Sequence, residues 1–500
     1  MSVVRALRLA EAVSTARTKR SPARQKAWQN VVGMEPRTLE YISIACGGEL
    51  DEAHARILAR RVCTDSRSLQ AGDLFVALRG ERFDGHDFVE EAAARGAAAV
   101  IVEPSALSQS LPCPKIVVAD TRRALGRLGA CYRTDFDFPI IAVAGSNGKT
   151  TTKEIIGSVL RERLNTLSSD ASFNNDIGVP VTLLNINGGH EAAVIEIGTN
   201  HPGELAPLIH MVQPRFGVIT SIGREHLEFF GGMAAVAEEE GWLAELLPAY
   251  GKLFLNGDSQ WTLPIKNRCR GEVVQIGFEA NNDWRIETAK TSETGTVFRL
   301  AAPRPDFTGE YHLQLFGRHQ AINAVFGLAL GAELGLSVKQ CRRGLEKCKP
   351  ARMRLQVWAH EGVHVLDDSY NANADSMLAA LEVLNDFPCK GRRIAVFGDM
   401  AELGNYTADM HREIGRRSAD FKITHLLAVG KSAQVTADAA RDAGVPNVSA
   451  MTDIAAVMTR LKDLLRAGDA VLVKASRSAG LERITDALGR PGNDASKNHS

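Results

Sequence analysis

In IIAVAGSNGKTTTKE, residues 140–154, an apolar run stops at a glycine-bounded loop, and a lysine and three threonines then open a helix. That order sets flexible backbone at a helix N-terminus, where unpaired N–H groups and the positive dipole end face outward. Such a site binds phosphate. Lys149 can reach the terminal phosphates of a nucleotide, and the Thr150 hydroxyl stands where a Mg²⁺ ligand is wanted. Gly145, Ser146, Asn147, Gly148 and Thr151 complete the cradle. The pattern points to ATP with Mg²⁺. An ordinary strand–turn–helix connection is the alternative, but turn chemistry alone rarely yields Gly-x-x-Gly-Lys-Thr-Thr. The loop is shorter than the common G-x-x-x-x-G-K-[ST] form, with Val143 where the outer glycine belongs.

Two further residue types suit the same chemistry. Glu196 ends the apolar run AAVIE, where a carboxylate can bind Mg²⁺ directly or through water. His226, in SIGREHLEFFGG, follows a third apolar run. A lone histidine is more often packed or solvated than a ligand, and its place after a strand of the same sheet shifts that balance. Asn174 and Asn175, in SFNNDIGVP, are uncharged donors whose role turn chemistry could equally explain.

The elements that must position these residues alternate between strand and helix. Ile140–Ala144, Ala193–Ile197 and Phe216–Thr220 read as strands, with helices after the first two and a long helix over Gln320–Leu334. This implies a parallel sheet covered on both faces, with ligands at the carboxyl ends of its strands. Before it, Leu74–Leu78 and Ala98–Val102 read as strands around a helix at Phe88–Arg95, and Phe136–Pro139 reads as a linker. After Pro350, strands at Arg393–Phe397, Leu426–Val429 and Ala470–Lys474 suggest a small dinucleotide-type fold, without the G-x-G-x-x-G of an NAD site. The expected division is an extension (1–37) read as disordered, domains at 38–138, 139–349 and 350–490, and a tail (491–500).

Composition sets the outer limits. Five hundred residues exceed one core. Fifty-nine basic residues balance 59 acidic ones, which argues against a nucleic-acid partner, and no apolar run is long enough for a membrane span. Eight cysteines without a C-x-x-C pair read as reduced thiols of a cytoplasmic protein. Residues 1–30 hold seven Lys/Arg against one acid but no secretory apolar core.

Nine segments occur here in one order: TDSRSLQAGDLFVALRGERFDGHDF, AVAGSNGKTTTKE, FNNDIGVPVTLL, EIGTNHPGEL, HLEFFGG, GRHQAINA, DDSYNANADSM, GDMAELG and VKASRSAGLE. Together they resemble the Mur ligases over about residues 38–490. SYNANADSM and GDMAELG are similar to the members that add D-alanyl-D-alanine to UDP-N-acetylmuramoyl-tripeptide. The resemblance implies an α/β protein of three domains: a UDP-binding N-terminal domain, a central P-loop-type parallel sheet and a Rossmann-like C-terminal domain. It implies an ATP-dependent amide ligase that passes through an acyl phosphate, as a cytoplasmic monomer with no nucleic-acid partner.

The family pattern also distributes roles. Lys149, Glu196 and His226 would be catalytic, with Thr150 and Glu196 on one Mg²⁺ and His226 helping to hold a second. Ser66, Arg67 and the GHDF segment containing His86 would face the UDP part, and Asn174 and Asn175 the muramoyl-peptide. His319 and Asn323 would flank adenine, Arg352 and Asp368 would touch nucleotide phosphate and ribose, and Lys474, Ser476 and Arg477 would lie near the incoming dipeptide.

The chain departs from the family at three places. Where the family carries a carbamylated lysine fourteen residues after the HLE histidine, this chain has Glu240, which could supply the negative charge without CO₂. An exposed acidic face over Glu238–Glu240 is the competing reading. Ala351-Arg352 replaces the usual Gly-Arg at the hinge, and Ala374 replaces the proline after SYNAN. The ligase one step earlier, which adds the diamino acid, typically carries a D-N-P-R motif that is missing here. Folylpolyglutamate synthases share the short loop without the UDP-binding domain. A nucleotide-switch module is the reading from a different class, and two further domains weigh against it.

Overall fold

The computed structural model describes residues 33–80, 83–104 and 111–490; residues 1–32 of the expected extension and the expected tail lie outside the described residues. The chain forms two compact units. One takes the described residues up to Ala124 with Cys131–Phe136 and Leu184–His190; the other takes Leu125–Ala130, Asp137–Leu183 and the described residues from Glu191 onward.

In the first unit β1 (Arg37–Thr38) pairs antiparallel with β2 (Leu58–Ala59). A parallel sheet follows in the order β3 (Val62–Cys63), β4 (Leu74–Val76), β5 (Ala99–Val102) and β6 (Lys115–Val117). β4 and β5 are buried throughout, as apolar runs covered on both faces must be. The helix read at Phe88–Arg95 is Val89–Ala94, entered through a 3₁₀ turn at Gly85–Phe88. Residues 33–37 correct the reading of the extension as disordered through residue 37. Met34 is buried, the Glu35 N–H donates to the Tyr132 hydroxyl at 2.8 Å, and Arg37 pairs with Asp135 at 2.9 Å.

The second unit contains two sheets. The larger comprises β7 (Ile140–Ala144), β8 (Thr166–Ser168), β9 (Ala192–Glu196), β10 (Phe216–Ile219), β11 (Lys252–Asn256), β12 (Glu272–Gly277), β13 (Trp284–Ser292), β14 (Gly295–Ala301) and β15 (Gly309–Leu313). Their order is β15-β14-β13-β12-β11-β10-β7-β9-β8. It is parallel from β8 to β13, as the strand–helix alternation implied, and antiparallel over β13-β14-β15, an addition beyond the strands read from the sequence. The cause is legible in β14, where Thr296, Phe298 and Leu300 are buried while Val297, Arg299 and Ala301 are not. That alternation belongs to a meander with one packed face.

Two helices hold the loop after β7 against this sheet. The helix read at Gln320–Leu334 spans His319–Glu333 and packs on the helix Lys149–Leu160. Gly327 permits the close approach, since a Cβ there would meet Ile155 Cγ2 at 2.8 Å. It does not close the unit, because a further helix, Val338–Lys347, follows with a Ser337–Gln340 capping box.

The smaller sheet comprises β16 (Gln356–His360), β17 (Val363–Asp368), β18 (Arg393–Phe397), β19 (His425–Val429), β20 (Asn447–Met451) and β21 (Ala470–Lys474), in the order β16-β17-β21-β18-β19-β20. Only β16 is antiparallel, returned by a hairpin at Glu361 and Gly362, whose φ angles of 49° and 79° suit a tight two-residue turn. No helix among the described residues is long and apolar enough to cross a membrane.

Candidate functional site

β10, β7 and β9 are neighbours, so the loop after β7, Glu196 at the end of β9 and the segment after β10 meet at one sheet end. Gly145 and Gly148 adopt φ angles of 111° and 85°, which admit glycine at little strain. The loop is bonded to the segment after β10. Thr220 Oγ1 donates to Asn147 O at 2.6 Å, the Asn147 N–H donates to Ser221 Oγ at 2.9 Å, and the Ser146 N–H donates to Ser221 O at 2.8 Å. Lys149 Nζ lies folded over this loop, donating to Gly145 O at 2.5 Å and Ser146 O at 3.3 Å, with Glu225 Oε1 at 3.5 Å. Burial works against its charge, but Glu225, Glu240 and Glu196 together outweigh burial and raise its pKa above the ordinary lysine value. Thr150 is buried and Thr151 half-buried in the first helical turn.

Glu196 is 1% exposed. Its Oε1 accepts from Asn174 Nδ2 at 2.9 Å, while Oε2 is buried without a hydrogen-bond partner, 4.0 Å from Lys153 Nζ. An orphaned carboxylate oxygen is costly unless something pairs with it, and a divalent cation suits it. Among the described residues no three His, Cys, Asp or Glu side chains form a cluster able to hold a metal ion. The unpartnered Glu196 oxygen, at the same sheet end as the loop, fits a cation bound through one or two carboxylates plus substrate phosphate, as Mg²⁺ is.

Glu240 is 1% exposed, and its Oε2 accepts the Gly145 N–H at 2.8 Å. Burial is the main cause that pushes its carboxyl up to about 8, opposed by Lys149 and reinforced by Glu225. Glu239 is buried too, accepting from the N–H groups of Gly203 and Leu205, and only Glu238 is exposed. The exposed acidic face is thus ruled out for two of the three acids. His226 adopts φ 52°, with Nδ1 bonded to the Glu402 carboxylate and Nε2 3.9 Å from Glu225 Oε2. The bond from His226 holds Glu402 below the usual carboxylate range, against its burial.

From the smaller sheet, Asp368 Oδ2 accepts from buried Lys474 Nζ at 2.6 Å. Burial lowers the lysine's pKa, opposed by Asp368. His319 is pushed down to about 4 by burial, and its Nδ1 is a buried atom without a partner. Asn323 abuts the loop, since a Cβ on Gly148 would meet its Oδ1 at 3.1 Å.

Several expected residues are placed otherwise. Arg352 is exposed, whereas Arg354 stacks on the Tyr370 ring at 4.0 Å and its charge is felt by Lys149 and Lys474. Met353 and Leu355, both at positive φ, turn the chain so that the second arginine faces inward. Asn175 spends its Oδ1 on the N–H groups of Ile177 and Gly178, capping a helix. Ser476 is buried with its Oγ 3.3 Å from Ser478 Oγ, and Arg477 pairs with Glu482 at 3.1 Å. In the first unit Ser66 is buried and Arg67 is largely exposed, paired with Asp65. His86 uses both ring nitrogens internally, Nδ1 with Asp84 at 2.6 Å and Nε2 with the Glu103 N–H at 3.0 Å.

Sequence reading passed over Glu225, Lys153, Glu402 and Arg354. Lys153 carried a signal, because it stands one helical turn after Lys149 on the same face. Buried completely, it donates to Ser169 O at 2.8 Å and Ala171 O at 2.6 Å. Glu225 is adjacent to His226; Glu402 had no local signal.

Comparison with known proteins agrees with this geometry. Residues 143–331 match the Mur ligase middle domain, residues 353–477 the Mur ligase glutamate ligase domain, and residues 59–133 the Mur ligase family catalytic domain. The chain is 37% identical over 461 residues to the UDP-N-acetylmuramoyl-tripeptide–D-alanyl-D-alanine ligase of Escherichia coli, covering 90% of this chain and 98% of that protein. The Bacillus subtilis ligase of the same name is 32% identical, covering 91% and 99%. Among solved structures, MurF from Acinetobacter baumannii superposes with a TM-score of 0.84 at 31% identity, covering 91% of this chain and 99% of that one. The MurF ligase of Thermotoga maritima in complex with ADP gives 0.76 at 27%, covering 86% and 96%. By its loop, its sheets and these relatives, the chain belongs to the Mur ligase family.

Proposed function

We propose that this protein joins D-alanyl-D-alanine to UDP-N-acetylmuramoyl-tripeptide, cleaving ATP to ADP and phosphate, in cytoplasmic synthesis of peptidoglycan precursor. The observation that carries this reading is the pairing of a lysine-bearing loop at residues 145–151 with the orphaned Glu196 oxygen at the same sheet end. Relatives that carry the same ligase name along nearly their whole length support the choice of substrates.

A tripeptide carboxylate oxygen attacks the γ-phosphorus, the bond to ADP breaks, and an acyl phosphate forms. The dipeptide amine then attacks the acyl carbonyl, phosphate leaves and the amine loses a proton. Lys149 exchanges its loop carbonyls for phosphate oxygens and holds charge there throughout. Gly148–Thr151, at the start of the helix, present N–H groups to the same phosphates, and Thr150 and Glu196 would hold Mg²⁺, with His226 and Glu240 near a second ion. Bound there, Mg²⁺ neutralises charge that develops on the transferred phosphoryl group. Asn174 orients Glu196, and Lys153, paired with Glu154 at 2.9 Å, stands 4.0 Å from its second oxygen.

His319 and Asn323 suit an adenine neighbour, while Asp368 and Arg354 suit the rest of the nucleotide. Lys474, held by Asp368, faces the dipeptide side. The domains at 38–138, 139–349 and 350–490 would bind UDP, bind ATP and deliver the amine, in a monomer. A phosphate-release assay tests this, with ATP, the UDP-muramoyl-tripeptide and D-alanyl-D-alanine each omitted in turn. Release that requires all three is expected; release indifferent to the dipeptide overturns the assignment.

A further inference from the structure

The segment after β10 is bonded on one side to the phosphate loop and on the other to helices of the smaller sheet. Arg224 makes the second connection. Its backbone N–H donates to Asp375 Oδ2 at 2.7 Å, its Nε donates to Asp375 Oδ1 at 2.8 Å, and its Nη1 donates to Glu413 Oε2 at 2.6 Å. Asp375 lies in the first turn of the helix Ala374–Asp386, and Glu413 lies on the helix Thr407–Arg417. One guanidinium thus ties two helices to the segment.

Its sequence neighbours touch the loop. The Gly223 N–H donates to Ser146 Oγ at 2.8 Å, and Glu225 is the counter-ion of Lys149. Beside them Asn373 Nδ2 donates to Asn147 Oδ1 at 2.9 Å. Leu227 and Phe230 add apolar contact, in one core cluster with Met400 and Leu403. Apolar burial is non-directional and does not set register, whereas a forked guanidinium between two carboxylates does. Burial works against the Arg224 charge, and Glu413 and Asp375 more than restore it.

We propose that Arg224 is a positioning residue, coupling engagement of the smaller sheet to the phosphate loop so that Lys149 and Glu225 are set only when Asp375 and Glu413 are held. The proposal rests on the phosphoryl-transfer reading above. Without the triad, nucleotide still binds, but the acyl phosphate meets water. Water then attacks phosphorus, the bond between phosphorus and the carboxylate oxygen breaks, and carboxylate, inorganic phosphate and a proton are released with no amide made.

The test uses the full chain with Arg224→Ala, Arg224→Lys and Asp375→Asn. It reads ADP affinity, amide formation, the ratio of phosphate released to amide formed, and the radius of gyration with ADP by solution scattering. Arg224→Ala is expected to bind ADP within about threefold of the parent, form amide about tenfold or more slowly, raise the phosphate-to-amide ratio and expand. Arg224→Lys, with charge but no fork, falls between. Asp375→Asn gives the same direction should Arg224→Ala not fold. An unchanged ratio with unchanged compaction overturns the proposal even if the rate falls, because a merely structural role predicts that result. A chain that turns over no ATP overturns the functional reading instead, and the scattering comparison still decides the coupling.

Discussion

Asn174 holds one oxygen of Glu196 at 2.9 Å and leaves the other buried without a hydrogen-bond partner. The amide fixes the carboxylate's rotation, so the second oxygen is presented in one direction to whatever enters the sheet end. Removing charge and removing orientation should therefore have different consequences. Glu196→Gln is expected to keep the fold and lower kcat by about a hundredfold or more, with loss of the Mg²⁺ dependence of nucleotide binding. Asn174→Ala should lower kcat by about tenfold and raise the Mg²⁺ concentration needed for half-activity. Steady-state rates over a Mg²⁺ series check both, and an unaltered Mg²⁺ response in Glu196→Gln would count against the site.

Glu240 is expected to lose its proton when a cation binds beside it and then to act as a buried carboxylate that needs no CO₂. Glu240→Gln should lose most activity, and Glu240→Lys should recover some of it only when bicarbonate is added. Full activity in Glu240→Gln ends the idea.

The same residue makes a pH prediction with a definite sign. Its folded carboxyl is pushed up to about 8, chiefly by burial, whereas an unfolded glutamate titrates at about 4.3. The folded state thus keeps a proton that the unfolded state releases, and the stabilisation present in acid is lost as pH rises through about 8. Melting temperatures without metal from pH 5 to 9 should fall more steeply for the parent than for Glu240→Gln. Parallel curves would show that Glu240 does not carry the effect.

Arg352 and Arg354 should separate cleanly. Arg354→Ala is expected to lower kcat/KM for ATP by about tenfold or more, since a cation beside bound phosphate is lost. Arg352→Ala, whose side chain is exposed, should stay within about twofold. Equal effects would undo the assignment of Arg354 to the nucleotide.

His319 is neutral in the folded protein, pushed down to about 4 mainly by burial. Unfolded histidine takes a proton at about 6.5, so stability is lost as pH falls from there toward 4. His319→Gln should weaken that acid sensitivity and raise KM for ATP, which thermal melts and initial rates measure together. A variant with the parent's acid profile would show that burial of this ring is not what the acid opposes.

The contiguous sequence determined the local frame. IIAVA is buried throughout as β7, and glycines stand at positive φ where the loop requires them. RIAVF and AVLVK are the strands their runs announced. These features depend on backbone conformation and apolar pattern, which neighbouring residues decide.

Side-chain partners were decided by the tertiary structure. Asn147 and Asn373 meet across 226 positions, and Arg224 and Glu413 across 189. No local pattern distinguishes an inward acid such as Glu240 from the exposed Glu238 two residues earlier, or Arg354 from Arg352. His86 sits in a motif expected to face a substrate, and both its nitrogens are bonded within its own unit. A side chain's chemistry follows from which groups it meets after packing has removed water from around it.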